Sequence, residues 1–189
     1  MRRIVTVGAP DGLVLRRRSR PVEAVGAAVR ALITDLVVTM RRARGVGLAA
    51  PQVGVPLRVL VADAGNGAIA LVNPRVRRRW GMQVGPEGCL SIPGVVRQVP
   101  RALGVEIEAV AATGRRVILR GTGFFARILQ HEIDHLNGIL ILDRISRRGQ
   151  VRPRRGSRNL RAAPRATRAA ARGRSLKARP ARRKAQRPR

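Results

Sequence analysis

Only one cysteine, Cys89, occurs in the 189 residues, so no internal disulfide can form, which fits a reducing, cytoplasmic setting. No uninterrupted apolar run approaches the roughly 20 residues that span a bilayer, so no membrane span is expected. The opening stretch MRRIVTVGAPDGLVLRRRSR is broken by Gly, Pro and Arg. It has no continuous apolar segment and does not read as a secretory signal. Tyrosine is absent and aromatic residues make up 2% of the chain, so rings add little to any binding surface. Histidine is limited to His131 and His135. Acidic residues number ten, and none lies beyond Asp143.

The chain is rich in arginine instead. Net charge is +30, with 38 Arg against 2 Lys. Residues 147–189 hold 18 basic groups and no acid, while residues 1–146 hold 22 basic against 10 acidic, a net +12. That break divides the chain into a globular domain, 1–146, and a basic tail, 147–189. The tail is rich in Pro, Gly and Ala and has too few large apolar residues to bury a core. It is expected to be disordered, with at most a short helix around RAAPRATRAAARGR. Such a polymer is suited to phosphate contacts, as on ribosomal RNA, or it is a passenger extension.

Apolar residues recur at helical spacing from Pro21 to Ala43 (Val22, Val25, Val29, Leu32, Ile33, Leu36, Val37, Met40), predicting an amphipathic helix packed on a core. GVGLAAPQVG, Gly45 to Gly54, is punctuated by Gly and Pro and reads as a loop. Leu57 to Asp63 and Ala68 to Pro74 read as strands around a Gly-Asn-Gly turn. Val105 to Val110 and Arg115 to Arg120 form a second such pair, and Trp80 either caps a strand or faces solvent. A helix should start near Gly123 and stop near Asn137-Gly138. The following ILILDRI reads as a closing strand. Strands ahead of a packed helix make an α+β fold.

Both histidines lie in QHEIDHLNG, four residues apart, with Glu132 beside the first. On a helix, i and i+4 share a face, so two imidazoles can hold one metal ion and Glu132 can reach a water on it. H-E-x-x-H on a helix is a zinc-hydrolase signature with the glutamate as general base. A catalytic site usually needs a third ligand. A protease of this type would take His or Glu downstream, and neither occurs after His135. Cys89 and the few carboxylates are the candidates that remain. A lone cysteine is ordinarily a small buried hydrophobe, but here it sits beside an incomplete two-histidine site.

Three segments together resemble the peptide deformylase family. They are a G-x-G-L-A-A-x-Q loop (Gly45 to Gln52), an E-G-C-L-S segment (Glu87 to Ser91) and a Q-H-E-x-D-H-L-x-G helix (Gln130 to Gly138). All three are intact and in family order, and the resemblance covers about residues 1–146. It implies small mixed or antiparallel sheets around a central H-E-x-x-H helix, with an amphipathic helix near the N-terminus. It further implies Cys89, His131 and His135 as ligands of one divalent ion, with water in the fourth position. Ferrous iron is the first choice, with zinc or nickel as replacements; one thiolate and two imidazoles suit either iron or zinc.

The implied reaction removes the formyl group from N-formylmethionyl nascent peptides in the bacterial cytoplasm and releases formate. Glu132 would be the general base, with the Gln52 side chain and Leu90 N–H donating to the developing oxyanion. Val46, Gly47 and Gly88 would bind the peptide, with Val46 N–H and Gly47 C=O pairing with its main chain. Phe124 and Ile128 would line the methionine pocket or belong to the core. Glu87 would hold its loop against basic groups, and Asp134 would support a ligand histidine or face solvent. The family's arginine after E-G-C-L-S corresponds to either Arg97 or Arg101. The competing reading is an RNA- or ribosome-binding protein with a vestigial deformylase site, although neither a ligand nor the acid is missing.

Overall fold

The computed structural model describes residues 1–145. The expected boundary at 146 and the expected disorder of 147–189 therefore lie outside the described residues. Helix α1 runs Ala27–Arg42 and helix α2 Gly123–Leu136. The strands are β1 Gly47–Ala49, β2 Val59–Ala62, β3 Ile69–Trp80, β4 Gln83–Cys89, β5 Ile92–Arg101, β6 Gly104–Ala111 and β7 Arg116–Thr122. A five-stranded antiparallel sheet has the order β1-β2-β3-β6-β7, and β4 and β5 form a separate antiparallel hairpin. The fold is α+β, as expected. No helix among the described residues is long and apolar enough to cross a membrane.

Period-two alternation explains why the sheet can carry a helix on each face. Val59 and Val61 of β2, with Val72 of β3, pack into the cluster built on α1 residues Val29, Leu32, Ile33, Leu36 and Met40. Leu60, Ala62 and Leu71 point the other way, to Ala126, Leu129, Ile133 and Leu136 of α2. All four residues of β2 are therefore buried. Full burial of each such aliphatic side chain contributes about 1.5–3 kcal/mol. A third cluster joins Val5, Leu15, Leu140 and Ile141 to Ile92 at the hairpin.

Helix α1 begins six residues later than its apolar spacing predicts. Val22 is buried and Val25 packs on the same cluster, yet both precede the helix. The Asn73 amide captures the backbone of Val22, accepting its N–H at 2.9 Å and donating to its C=O at 2.7 Å. A side chain far along the chain thus offers those backbone groups an alternative to a helix. The predicted loop at Gly45 to Gly54 contains β1 and a 3-10 turn, Ala50–Val53. ILILDRI is not a strand: Ile141–Arg144 is a 3-10 turn. Its Asp143 accepts the Leu140 N–H at 2.8 Å, which closes the backbone locally. Trp80 ends β3 opposite Gly104, and any Cβ on Gly104 would lie 2.1 Å from the indole ring.

Candidate metal centre

Helix α2 has two working faces. Ala126, Leu129, Ile133 and Leu136 meet the sheet, while Arg127, Gln130, His131 and Asp134 meet the β4–β5 hairpin. His131 and His135 stand one turn apart on it, with ring centroids separated by 4.9 Å. Cys89, the last residue of β4, arrives from the hairpin. The His135 Nε2 atom is 3.2 Å from Cys89 Sγ and 3.2 Å from His131 Nε2. The three donor atoms lie within 4.8 Å of one another. Four-coordinate ions with such donors at about 2.0–2.3 Å keep ligand atoms about 3.3–3.8 Å apart. The donors thus nearly match a tetrahedral site in spacing, and their chemistry suits zinc or iron.

Glu87 sets the ring orientation of His131. Its Oε2 accepts from His131 Nδ1 at 3.0 Å, which leaves the lone pair of Nε2 facing Cys89 and His135. Burial alone would raise the Glu87 pKa. The bidentate Arg101 guanidinium (2.8 and 2.9 Å) and the His131 hydrogen bond outweigh it and hold the carboxyl at about 2. Burial likewise opposes a charged His131, but Cys89, Glu87 and Glu132 overcome it and push its pKa up to about 10. His135 moves the other way, held down by burial and by the charge on His131. A metal ion bound at His131 Nε2 would displace the second ring proton.

Glu132 is buried, and its Oε2 has no hydrogen-bond partner among the described residues. Desolvation raises its pKa to about 7, in the range a general base needs near neutrality. Gln52 is also buried. Its Oε1 accepts from Ala49 N–H at 2.8 Å, which turns Nε2 toward Ser91 Oγ at 3.3 Å and Cys89 Sγ at 3.7 Å. Residues Val46, Gly47, Gln52, Gly88, Leu90 and Glu132 line one cavity of about 580 Å³ with the candidate ligands Cys89 and His131. Phe124 and Ile128 line it too, and Ile128 also belongs to the core cluster between α2 and the sheet. β1 pairs only with β2 and is an edge of its sheet. The Val46 carbonyl is taken by Asp63 N–H at 2.8 Å, so by alternation the polar groups of Gly47 face the open edge.

Asp134 departs from its expected place, and the two candidate arginines separate. Asp134 supports neither ligand histidine and does not face solvent: it is buried and paired with Arg101 (2.5 Å) and Arg144. Arg101 is consumed between Glu87 and Asp134, and its pKa is raised because these partners outweigh burial. Arg97 is exposed and, among the described residues, donates to the neighbouring Val96 carbonyl. Arg127 was not foreseen. It is buried and donates to Gly85 C=O, Val99 C=O and Glu87 Oε1. Its position four residues before His131 was the available signal, since i and i+4 share a face.

Three donor atoms close enough to share one ion, with a buried carboxylate in the same cavity, are what a metal-dependent hydrolase requires. The Polypeptide deformylase family model matches residues 1–151. A peptide deformylase of Thermomicrobium roseum is 45% identical over 161 residues, covering 80% of this chain and 90% of that one. One from Halothermothrix orenii is 46% identical over 139 residues, covering 72% and 90%. Among solved structures, the peptide deformylase of Thermus thermophilus matches with a TM-score of 0.74 and 41% identity, covering 79% of this chain and 88% of that one. That of Synechococcus elongatus in complex with actinonin matches with a TM-score of 0.73 and 38% identity, covering 77% and 79%. The chain belongs to the polypeptide deformylase family. It is a metal-dependent hydrolase that removes the formyl group from the N-terminal formylmethionine of newly made peptides. The vestigial-site reading has no support, since every ligand candidate and Glu132 are in place.

Proposed function

We propose that Cys89, His131 and His135 hold a ferrous ion in the cytoplasm, where formylated chains are made, with zinc or nickel able to replace it. The observation that carries this reading is the approach of the three donor atoms to within 4.8 Å, with Glu132 buried beside them. When bound, the ion supplies Lewis acidity, lowering the pKa of water and polarising the formyl oxygen. The Glu132 carboxylate takes a proton from the attacking water and returns it to the departing amino nitrogen. Gln52 Nε2, its amide orientation set by Ala49, and Leu90 N–H donate to the oxygen on which charge develops. Donors of this kind contribute about 3–4 kcal/mol each in acyl transfer. Val46, Gly47 and Gly88 receive the extended peptide along the open edge of β1, in the manner of an added strand. Phe124 and Ile128 cover its methionine side chain. The basic residues 147–189 act as a tether to ribosomal RNA.

The test is formate release from formyl-Met-Ala under argon, with acetyl-Met-Ala as control and metal analysis of each preparation. Glu132→Ala should keep its metal and lose about 10²–10⁴-fold in turnover. Cys89→Ala should lose both metal and activity, because the thiolate is the ligand. Full metal occupancy in Cys89→Ala would overturn the ligand set, and near-normal turnover in metal-loaded Glu132→Ala would remove its role as base. Iron as the main metal in anaerobically purified protein supports the ferrous assignment; zinc alone refutes it.

A further inference from the structure

The ligands of the metal centre come from two separate bodies. His131 and His135 ride on α2, which is packed into the five-stranded sheet, while Cys89 rides on the β4–β5 hairpin. A site built this way keeps its geometry only if the hairpin is held against the helix. Apolar packing holds the Cys89 end, where Cys89, Ile92 and Val95 meet Val5, Leu15, Leu140 and Ile141, but the surface of α2 that faces the hairpin is polar and is joined to it by hydrogen bonds. Gln83 at the start of β4 donates to Gly123 C=O at 2.8 Å, and Gln130 holds both backbone groups of Ala102 just past β5. Both ties lie far along the hairpin from Cys89.

Closer to the cysteine, Arg127 reaches across both strands. Its Nη1 donates to Val99 C=O of β5 at 2.7 Å, to Gly85 C=O of β4 at 3.2 Å and to Glu87 Oε1 at 2.8 Å. Glu87 lies two residues before Cys89, and its other oxygen holds His131. The close approach depends on Gly85, where a Cβ would lie 3.2 Å from Arg127 Nη2. Arg127 is thus joined to a strand on either side and, through one carboxylate, to a ligand histidine one helical turn away. No other cationic side chain among the described residues donates to both strands.

We propose that Arg127 is a positioning residue that fixes the distance of Cys89 from the two histidines. It acts through Gly85, Val99 and Glu87, and although its side chain also borders the cavity, the role assigned to it is to hold the hairpin against the helix. The proposal rests on the ligand set given above. Its consequence is kinetic: with Arg127 in place the Cys89 arm of the site is rigid, and without it that arm loosens and the ion leaves faster. Loss of such a supporting group typically costs about 10–100-fold in metal affinity.

The test uses the full chain loaded with cobalt, whose thiolate-to-metal charge-transfer absorption reports the Cys89 bond directly. Wild type should show this band and Cys89→Ser should lack it. If wild type lacks it, the ligand reading fails and not the clamp. Given the band, Arg127→Met and Arg127→Gln should weaken or shift it and release cobalt to a chelator about tenfold faster or more. Arg127→Lys should recover part of both effects, because an ammonium can still reach some of the three acceptors. An unaltered band with a release rate within twofold of wild type, in either Arg127→Met or Arg127→Gln, would overturn the proposal. So would equal loss in Arg127→Lys and Arg127→Met. If Arg127→Met does not fold, Arg127→Gln and Arg127→Lys carry the same comparison.

Discussion

Gly47 lies against the Glu132 carboxylate so closely that a side chain there would collide with it. A Cβ there would sit 2.3 Å from Glu132 Oε1 and 2.8 Å from its Cδ. The glycine of the G-x-G-L-A-A-x-Q loop therefore serves two needs at once. It leaves room for Glu132, and it presents an unobstructed edge to an extended peptide. Gly47→Ala should keep its metal, because no ligand is touched, and lose about 10²-fold in turnover as the base is pushed aside. Steady-state kinetics with metal analysis checks this; wild-type turnover would show that the carboxylate position is not critical. At this scale the sequence was most informative where chemistry imposes a spacing. Two histidines at i and i+4 with the glutamate between them announce a helix face and a site together. It was least informative for the arginines. Arg97 and Arg101 look alike in sequence, and only the placement of Glu87 and Asp134 shows that Arg101 is buried between them.

Among the elements, legibility follows periodicity and fails where another part of the chain intervenes. Helix α2 starts and stops where its composition predicts, with Gly138 just past its end at φ 70°. A Cβ on Gly138 would also meet Arg16 C=O at 2.4 Å, so packing reinforces the stop. The β4–β5 hairpin was not foreseen, although it carries Cys89. Pro86, Pro93 and Pro100 and several glycines hide its strands, and a two-stranded sheet tolerates them because each strand has one edge free. Helix α1 was read too long because Val22 and Val25 keep its period while Asn73 holds the Val22 backbone outside the helix. Asn73 sits at φ 53°, a region that asparagine enters more readily than alanine. Asn73→Ala should thus destabilise by about 1–3 kcal/mol, chiefly through the unpaired backbone of Val22. Urea unfolding measures it. A change below about 0.5 kcal/mol would mean that water replaces the amide without loss.

For the whole molecule the question is what so much positive charge does in an enzyme whose cavity is lined largely by apolar and neutral groups. Residues 1–146 carry a net +12, and the remainder of the chain adds 18 basic groups with no acid among them. The family match ends at residue 151, so removal of residues 152–189 leaves the matched region whole while deleting 16 of those 18 groups. A short formyl peptide meets only the cavity, and its turnover should be unchanged by the cut. A ribosome presents phosphates, and binding through many cations releases as many counterions. Six to ten phosphate contacts would cost about 10³–10⁵ in affinity between 50 and 200 mM salt. Full-length protein should therefore co-sediment with ribosomes at low salt and come off steeply as salt rises. The truncated protein should bind more weakly and with a shallower salt slope, set by the charge of the globular part alone. A tether of this kind raises local substrate concentration without altering the site, so the two forms should differ on nascent chains and agree on free peptides. Equal sedimentation of the two at every salt concentration would make the extension a passenger and leave any attraction to RNA with the globular domain.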